Sequence, residues 1–323
     1  MKGKFIGIDI SKQTFDVAFN KEERWNYFEL VNNPKGFEVL SGLIDQGDWV
    51  IMEASGPYYL PLANYLYAKQ IKVVVENPLV IKRYSQMKLY RAKTDKKDAQ
   101  VIAEYGMFSE LKEWRPDEKY ITNIKQLHTA IEGLQKQLHQ SSRQLEAFKS
   151  SGSLDKSLKK EMKKIIIFLK NKISSLEQRQ EDLAKEHFEQ SLQKLTSIPG
   201  IGNKTAIMLI IVTNDFKKFE HYKQLIAYVG FSPRIYESGT SVKGKGHICK
   251  MGKGQIRKLL YICSWSAKRW NKACKEMHER LAAKGKPERV IKIALANKLL
   301  KQAFAIAKGD RLYDKNYQPK ACF

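Results

Sequence analysis

Cysteine is scarce in this chain: 323 residues carry only Cys249, Cys263, Cys274 and Cys322. They show no Cys-x-x-Cys spacing and all lie in the last quarter, which argues against both a disulfide framework and a zinc site. Long hydrophobic runs are missing too. No stretch approaches the roughly 18 consecutive apolar residues of a membrane-crossing helix, so no membrane-spanning segment is expected. The opening run from Met1 takes in an acid at Asp9, which does not suit a secretory signal. No internal repeat recurs at a fixed period. Together these absences predict a reducing, cytoplasmic setting. Acidic side chains are also in short supply, 34 against 58 Lys and Arg, for a net charge of +24. Hydrophobic residues at 43% still supply a sizeable core, so disorder is excluded as the main state. An excess of this size calls for a polyanionic partner, either nucleic acid or an anionic membrane surface.

The length predicts two or three domains, and the charge is divided unevenly among them. Residues 1–110 hold 15 basic and 14 acidic side chains, residues 111–190 hold 16 and 12, and residues 191–323 hold 27 and 8. The last third, at +19, is the electrostatic footprint. Cations massed in this way bind phosphates with release of counterions, so a salt-dependent nucleic-acid contact is expected there.

The first third alternates strand and helix signals. Lys4–Ile10, Trp49–Met52 and Ile71–Val75 are short apolar runs, Thr14–Phe19 alternates, and Trp25–Val31 is aromatic and β-branched. Gly36–Ile44 and the segment after Pro57 have helical spacing. A mixed α/β sheet is predicted. From 119 to 195, apolar residues recur at spacings of three and four, broken only at Ser150-Ser151-Gly152-Ser153. That pattern predicts two long helices forming an antiparallel hairpin or coiled coil. The remainder reads as mainly helical, with a Gly-, Ser- and Lys-rich loop between Gly230 and Gly254 and an irregular tail from Tyr313.

Two acids close predicted strands: Asp9 after the first and Glu53 after Trp49–Met52. Open α/β sheets place ligand sites just beyond the carboxyl ends of their strands. Thr94 is a good N-cap, so Asp95 and Asp98, at i and i+3, share the first turn of a helix. Four carboxylates brought together would repel unless hard divalent cations such as Mg²⁺ joined them. Two such ions clamp the attacking and leaving oxygens of a phosphodiester. Asp95 and Asp98 can equally be acids that favour the helix dipole, and Asp16 and Glu76 compete for a ligand role.

In the basic third, Leu195–Ala206 reads as a helix-hairpin-helix. Gly200 and Gly202 shape its turn, and Lys204 adds charge beside helix N–H groups that can meet a phosphate. The same hairpin also serves as a plain connector. The following loop presents Lys243, Lys245, Lys250 and Lys253, with Arg257 on the helix after it. It reads as a phosphate-binding loop or as a frame for a serine nucleophile.

Seven motifs in order carry a family resemblance. They are Gly7-Ile8-Asp9-Ile10, Glu53-Ala54-Ser55-Gly56-Pro57-Tyr58, Ala92–Ala99, the Pro199-Gly200-Ile201-Gly202 hairpin, Tyr228–Pro233, Glu237-Ser238-Gly239, and Lys250-Met251-Gly252 through Arg257. Over nearly its whole length the chain resembles the DEDD transposases of the insertion-sequence one-ten type, the bridge-RNA-guided serine recombinases. Ser55 stands where the family usually has Thr, Cys249 where it has Ser, and Lys253 where it often has Asn.

The resemblance implies a ribonuclease-H- and RuvC-like domain over 1–110 with Asp9, Glu53, Asp95 and Asp98 as catalytic acids holding two Mg²⁺ ions. It implies a coiled-coil hairpin over 111–192 and a basic domain over 193–323 whose serine attacks DNA. That serine maps to Ser238, with Ser241 as the nearest rival. It further implies double-stranded donor and target DNA, a structured non-coding guide RNA, dimers and tetramers with composite sites, and association with the nucleoid. Two other readings stand beside it: a RuvC-like Mg²⁺ nuclease without a covalent serine, and a non-catalytic nucleic-acid-binding protein.

Overall fold

The computed structural model describes residues 3–90, 94–234, 236–238, 242–243 and 246–316. It is a mixed α/β protein, mostly helical, and its contacts divide it into two compact units, Met1–Asp117 and Glu118–Phe323.

The first unit is built on a five-stranded sheet. β1 (Phe5–Ile10), β2 (Thr14–Lys21) and β3 (Arg24–Val31) form an antiparallel meander, while β4 (Trp49–Glu53) and β5 (Lys72–Glu76) run parallel to β1. The strand order is β3-β2-β1-β4-β5. Side chains alternate across a strand, and the sheet uses both faces. Ile6, Ile8, Ile10, Val50, Met52 and Val73 enter one core with α1 (Pro34–Gly42) and α2 (Leu60–Ala68). Phe5, Ile51 and Val74 enter the other, with α3 (Pro78–Met87) and α4 (Asp95–Phe108). The strands and helices expected from the sequence are present. α3 is an addition: Asn77 caps it by accepting from Leu79 N at 2.9 Å, and Pro78 opens it.

The second unit opens with a helical hairpin, α5 (Lys119–Ser150) and α6 (Lys156–Thr196). Ile121, Ile124, Ile131 and Leu145 of α5 and Met162, Leu169 and Ile173 of α6 are buried along its length. They lie on the apolar stripe read from the sequence, three, four, seven or fourteen residues apart. α6 kinks at Phe188, where φ is −137° and ψ 30°. Next come α7 (Asn203–Thr213), α8 (Tyr222–Val229), α9 (Gly254–Trp270), α10 (Lys272–Ala283) and α11 (Glu288–Lys308). α7 is apolar all round and buried over Thr205–Ile211, so it is the central helix of this core.

Between α8 and α9 the sequence predicted only a loop. The structure instead has four two-residue strands, β6 (Pro233–Arg234), β7 (Glu237–Ser238), β8 (Val242–Lys243) and β9 (His247–Ile248), pairing as β6–β9 and β7–β8. Strands this short leave no alternation to read.

Candidate active site and nucleic-acid contacts

The acids of the first unit form a row across four strands. Asp9 is paired in register with Asp16 of β2, and Glu53 with Glu76 of β5. Ile8 pairs with Met52, so the next step along the parallel strands brings Asp9 beside Glu53. All four project to the face that α4 covers, because their alternate neighbours fill the opposite core.

α4 lies close to this face for a steric reason. A Cβ on Gly7 would stand 2.1 Å from Ala99 O and 2.3 Å from Ala103 N, so only glycine admits the helix backbone here. Ala99 and Ala103 are wholly buried against it. Asp95 lies four helical residues before Ala99, about 6 Å of rise. Asp9 lies two strand residues beyond Gly7, about 6.6 Å. The contact at Gly7 therefore sets the first turn of α4 over the carboxyl end of β1. Thr94 caps that turn, its Oγ1 accepting from Lys97 N at 3.2 Å. Beyond β4, Ala54 N donates to Glu76 O and Ser55 N to Glu53 O, both at 2.9 Å, which fixes the chain just after Glu53.

Tyrosines hold the two outer acids. The Tyr27 hydroxyl donates to Asp16 Oδ1, and that bond pushes the phenol up to about 12. The Tyr105 hydroxyl donates to Glu76 Oε2 at 2.9 Å, and Asn77 N donates to its Oε1 at 2.8 Å. Asp16 and Glu76 thus have structural partners, while Asp9 faces other acids. Burial, followed by the charges of Asp98, Glu53, Asp95 and Asp16, pushes the Asp9 carboxyl up to about 6. The four acids named from the sequence therefore share one electrostatic field.

Among the described residues no three His, Cys, Asp or Glu side chains converge closely enough to hold one metal ion. The two observations agree, because charge coupling extends over several ångströms whereas ligation requires contact at about 2 Å. An all-carboxylate donor set with its charge uncompensated at Asp9 fits a hard divalent cation.

In the second unit the predicted contact residues fare differently. Gly200 has φ +108° and packs on α9, where a Cβ would come 2.8 Å from Ala267 Cβ. Gly202 is exposed and is the N-cap of α7, with open space around it. Lys204 is engaged: its Nζ lies 2.8 Å from Glu177 Oε1 of α6, and the neighbouring Asn203 donates to Glu181 at 2.8 Å. Lys250 and Lys253 are exposed, and Lys253 immediately precedes α9. Arg257 Nη1 donates to Val229 O at 2.6 Å, so it ties α9 to the end of α8. Ser238 pairs with Val242 through the backbone of β7 and β8. The side chains of Ser238 and Lys243, and the whole of Ser241 and Lys245, lie outside the described residues.

Residues 6–148 match a DEDD family described as a transposase, and residues 192–279 match the transposase IS116/IS110/IS902 family. The chain is 31% identical over 328 residues to the pilin gene-inverting protein of Moraxella lacunata, covering 98% of this chain and 99% of that one. It is 31% identical to the protein of the same name from Moraxella bovis, with the same coverage. It is 25% identical over 284 residues to the transposase for insertion sequence element IS1111A of Coxiella burnetii, covering 80% and 76% of the two chains. Among the described residues no helix is long and apolar enough to cross a membrane.

Proposed function

Because the chain belongs to the IS116/IS110/IS902 family of transposases and so is an enzyme that acts on DNA, we propose that it exchanges DNA strands through a covalent serine intermediate under the direction of a guide RNA. Asp9, Glu53, Asp95 and Asp98 hold Mg²⁺, as two ions. When bound, the cations supply Lewis-acid stabilisation of charge on the scissile phosphate and the leaving oxygen. The observation that carries this reading is the placement of Asp9 beside Glu53 at adjoining strand ends under the first turn of α4, where burial and the charges of Asp98, Glu53 and Asp95 push its carboxyl up.

Ser238 Oγ attacks the phosphorus. The Oγ–P bond forms, the P–O3′ bond breaks, and the 3′ oxygen departs as a hydroxyl with the proton that the serine gives up. The 3′ hydroxyl of a second duplex then attacks the phosphoserine, which restores Ser238 and joins the exchanged strands. One phosphodiester replaces another, so no external energy source is needed. The near-full-length relatives are named for inverting a gene, which suits a reaction that reconnects strands rather than merely cutting them. Lys243, Lys245, Lys250, Lys253 and the α7 start at Gly202 and Lys204 track phosphates, while base pairing with the RNA selects sequence. The hairpin of α5 and α6 joins protomers into dimers and tetramers, so that the acids of one protomer serve the serine of another.

Strand exchange on donor and target duplexes with Mg²⁺ tests the proposal, together with sequencing of RNA that co-purifies with the protein. Alanine at Asp9, Glu53, Asp95 or Asp98 abolishes exchange while the fold persists. Nicking without exchange in the unaltered protein would favour the RuvC-like nuclease instead.

A further inference from the structure

α9 and α11 pack against each other in the second unit, and an open groove of about 560 Å³ lies where they meet the foot of the β6–β9 pair. Its floor is apolar, from Phe231, Tyr261 and Ile293, and its rim carries Lys250, Lys258 and Arg289. Among the described residues no acidic side chain lines it. Lys250, Lys258 and Arg289 are exposed, and none of them has an acidic partner among the described residues. Glu288, next to Arg289 in sequence, is already committed. It lies 2.9 Å from His278 Nε2, 3.2 Å from Lys268 Nζ and 3.6 Å from Lys292 Nζ, and the His278 hydrogen bond leads in holding it near 2.

The groove is also held in shape. Cys249 N donates to Ser232 O at 2.8 Å and Lys250 N to Gly230 O at 3.2 Å, so the two walls of the foot run side by side. A Cβ on Gly252 would meet Tyr228 O at 2.0 Å, so this close approach requires glycine. Lys250 therefore projects from a braced segment.

Three unneutralised cations above an aromatic and aliphatic floor select an anion that also carries a flat apolar ring. A duplex presents phosphates outward with its bases stacked within, and would leave this floor unfilled. An unpaired nucleotide satisfies both parts, with its base on the aromatic surface and its phosphates on the cations. We propose that the groove holds one unpaired nucleotide of a DNA strand, with its base on Tyr261 and Ile293 and its phosphates on Lys250, Lys258 and Arg289. The choice of DNA rests on the reading of Ser238 as the group that opens a DNA strand. Pro233, paired with Ile248 at the groove's edge, is five residues from Ser238. At about 3.5 Å per residue, the serine lies within about 18 Å of that edge.

The test measures binding of the full chain to three labelled probes: a dT12 oligonucleotide, a U12 oligonucleotide and a 12-base-pair duplex. The proteins are unaltered chain, Lys258→Gln/Arg289→Gln and Tyr261→Leu. The double variant should lose tenfold or more in affinity for dT12 and less than threefold for the duplex. Tyr261→Leu, which keeps the floor apolar, should lose about fivefold for dT12 alone. Equal losses on dT12 and duplex would overturn the groove as a nucleotide site, and so would no loss on dT12. A variant-sensitive preference for U12 over dT12 would overturn the DNA assignment in favour of RNA. Trapping a serine–DNA adduct in the same proteins separates this proposal from the catalytic one, because adduct formation can fail while groove-dependent dT12 binding persists, and the reverse.

Discussion

Asp9 is the residue on which the account of the acidic site turns. Its ordinary pKa of 3.8 rises to about 6 through burial first, and then through Asp98, Glu53, Asp95 and Asp16. The folded chain therefore binds a proton that the unfolded chain releases between those values. The stability that this proton confers is fully present below about pH 3.8 and is lost as pH rises through about 6. With metal chelated, Asp9→Asn should raise the unfolding free energy at pH 7.5 by about 1–2 kcal/mol. That is less than the full two-unit shift implies, because the carboxylate is partly exposed. The gain should fade by pH 4, and thermal melts across this range check it; a gain that ignores pH would remove Asp9 from the shared field. The same variant should have no strand-exchange activity. Asp9 and Glu53 were legible in the sequence because an acid closing an apolar run demands a reason. That Asp16 and Glu76 accept from Tyr27 and Tyr105 was not legible, since those donors stand 11 and 29 positions from their acids.

Among the elements, α4 aligns the site through its contact with β1 at Gly7. Gly7→Ala sets a methyl group against Ala99 O, and the helix must shift to admit it. The expected result is a loss of about 1–3 kcal/mol of stability and a fall in strand exchange beyond what unfolding explains. Gly42→Ala is the control, because a Cβ there meets nothing within 4 Å. Activity that simply follows the folded fraction would mean that the contact at Gly7 is structural only. Long periodic elements were readable at this scale: α5 and α6 lie where the apolar spacing put them, because each buries one stripe over many turns. β6 to β9 were not readable, since their pairing depends on the backbone of Tyr228–Ser232 lying beside Cys249–Lys253. Tertiary contact, not local pattern, makes that hairpin.

Over the whole molecule the charge is the clearest signal, with +19 of the +24 in residues 191–323. Replacing Lys243, Lys245, Lys250 and Lys253 with Gln should weaken nucleic-acid binding and flatten its salt dependence by about one unit of log–log slope per lost phosphate contact. Lys204→Gln should lower the slope by less than one unit, since Lys204 must leave its 2.8 Å pairing with Glu177 to meet a phosphate. Charge counts alone do not distinguish a cation held by its own protein from one left for a partner. In the proposed mechanism Asp9, Glu53, Asp95 and Asp98 act with Ser238 in a single reaction, and trapping the covalent intermediate tests this directly. With Mg²⁺ and a nicked or otherwise trapping DNA substrate, the unaltered chain should form a protein–DNA adduct whose digestion yields a phosphorylated peptide modified at Ser238. Asp9→Ala and Ser238→Ala should form none while still binding DNA, and Ser241→Ala should form it normally. An adduct on Ser241, an adduct that survives Asp9→Ala, or strand exchange with no modified serine would contradict the account.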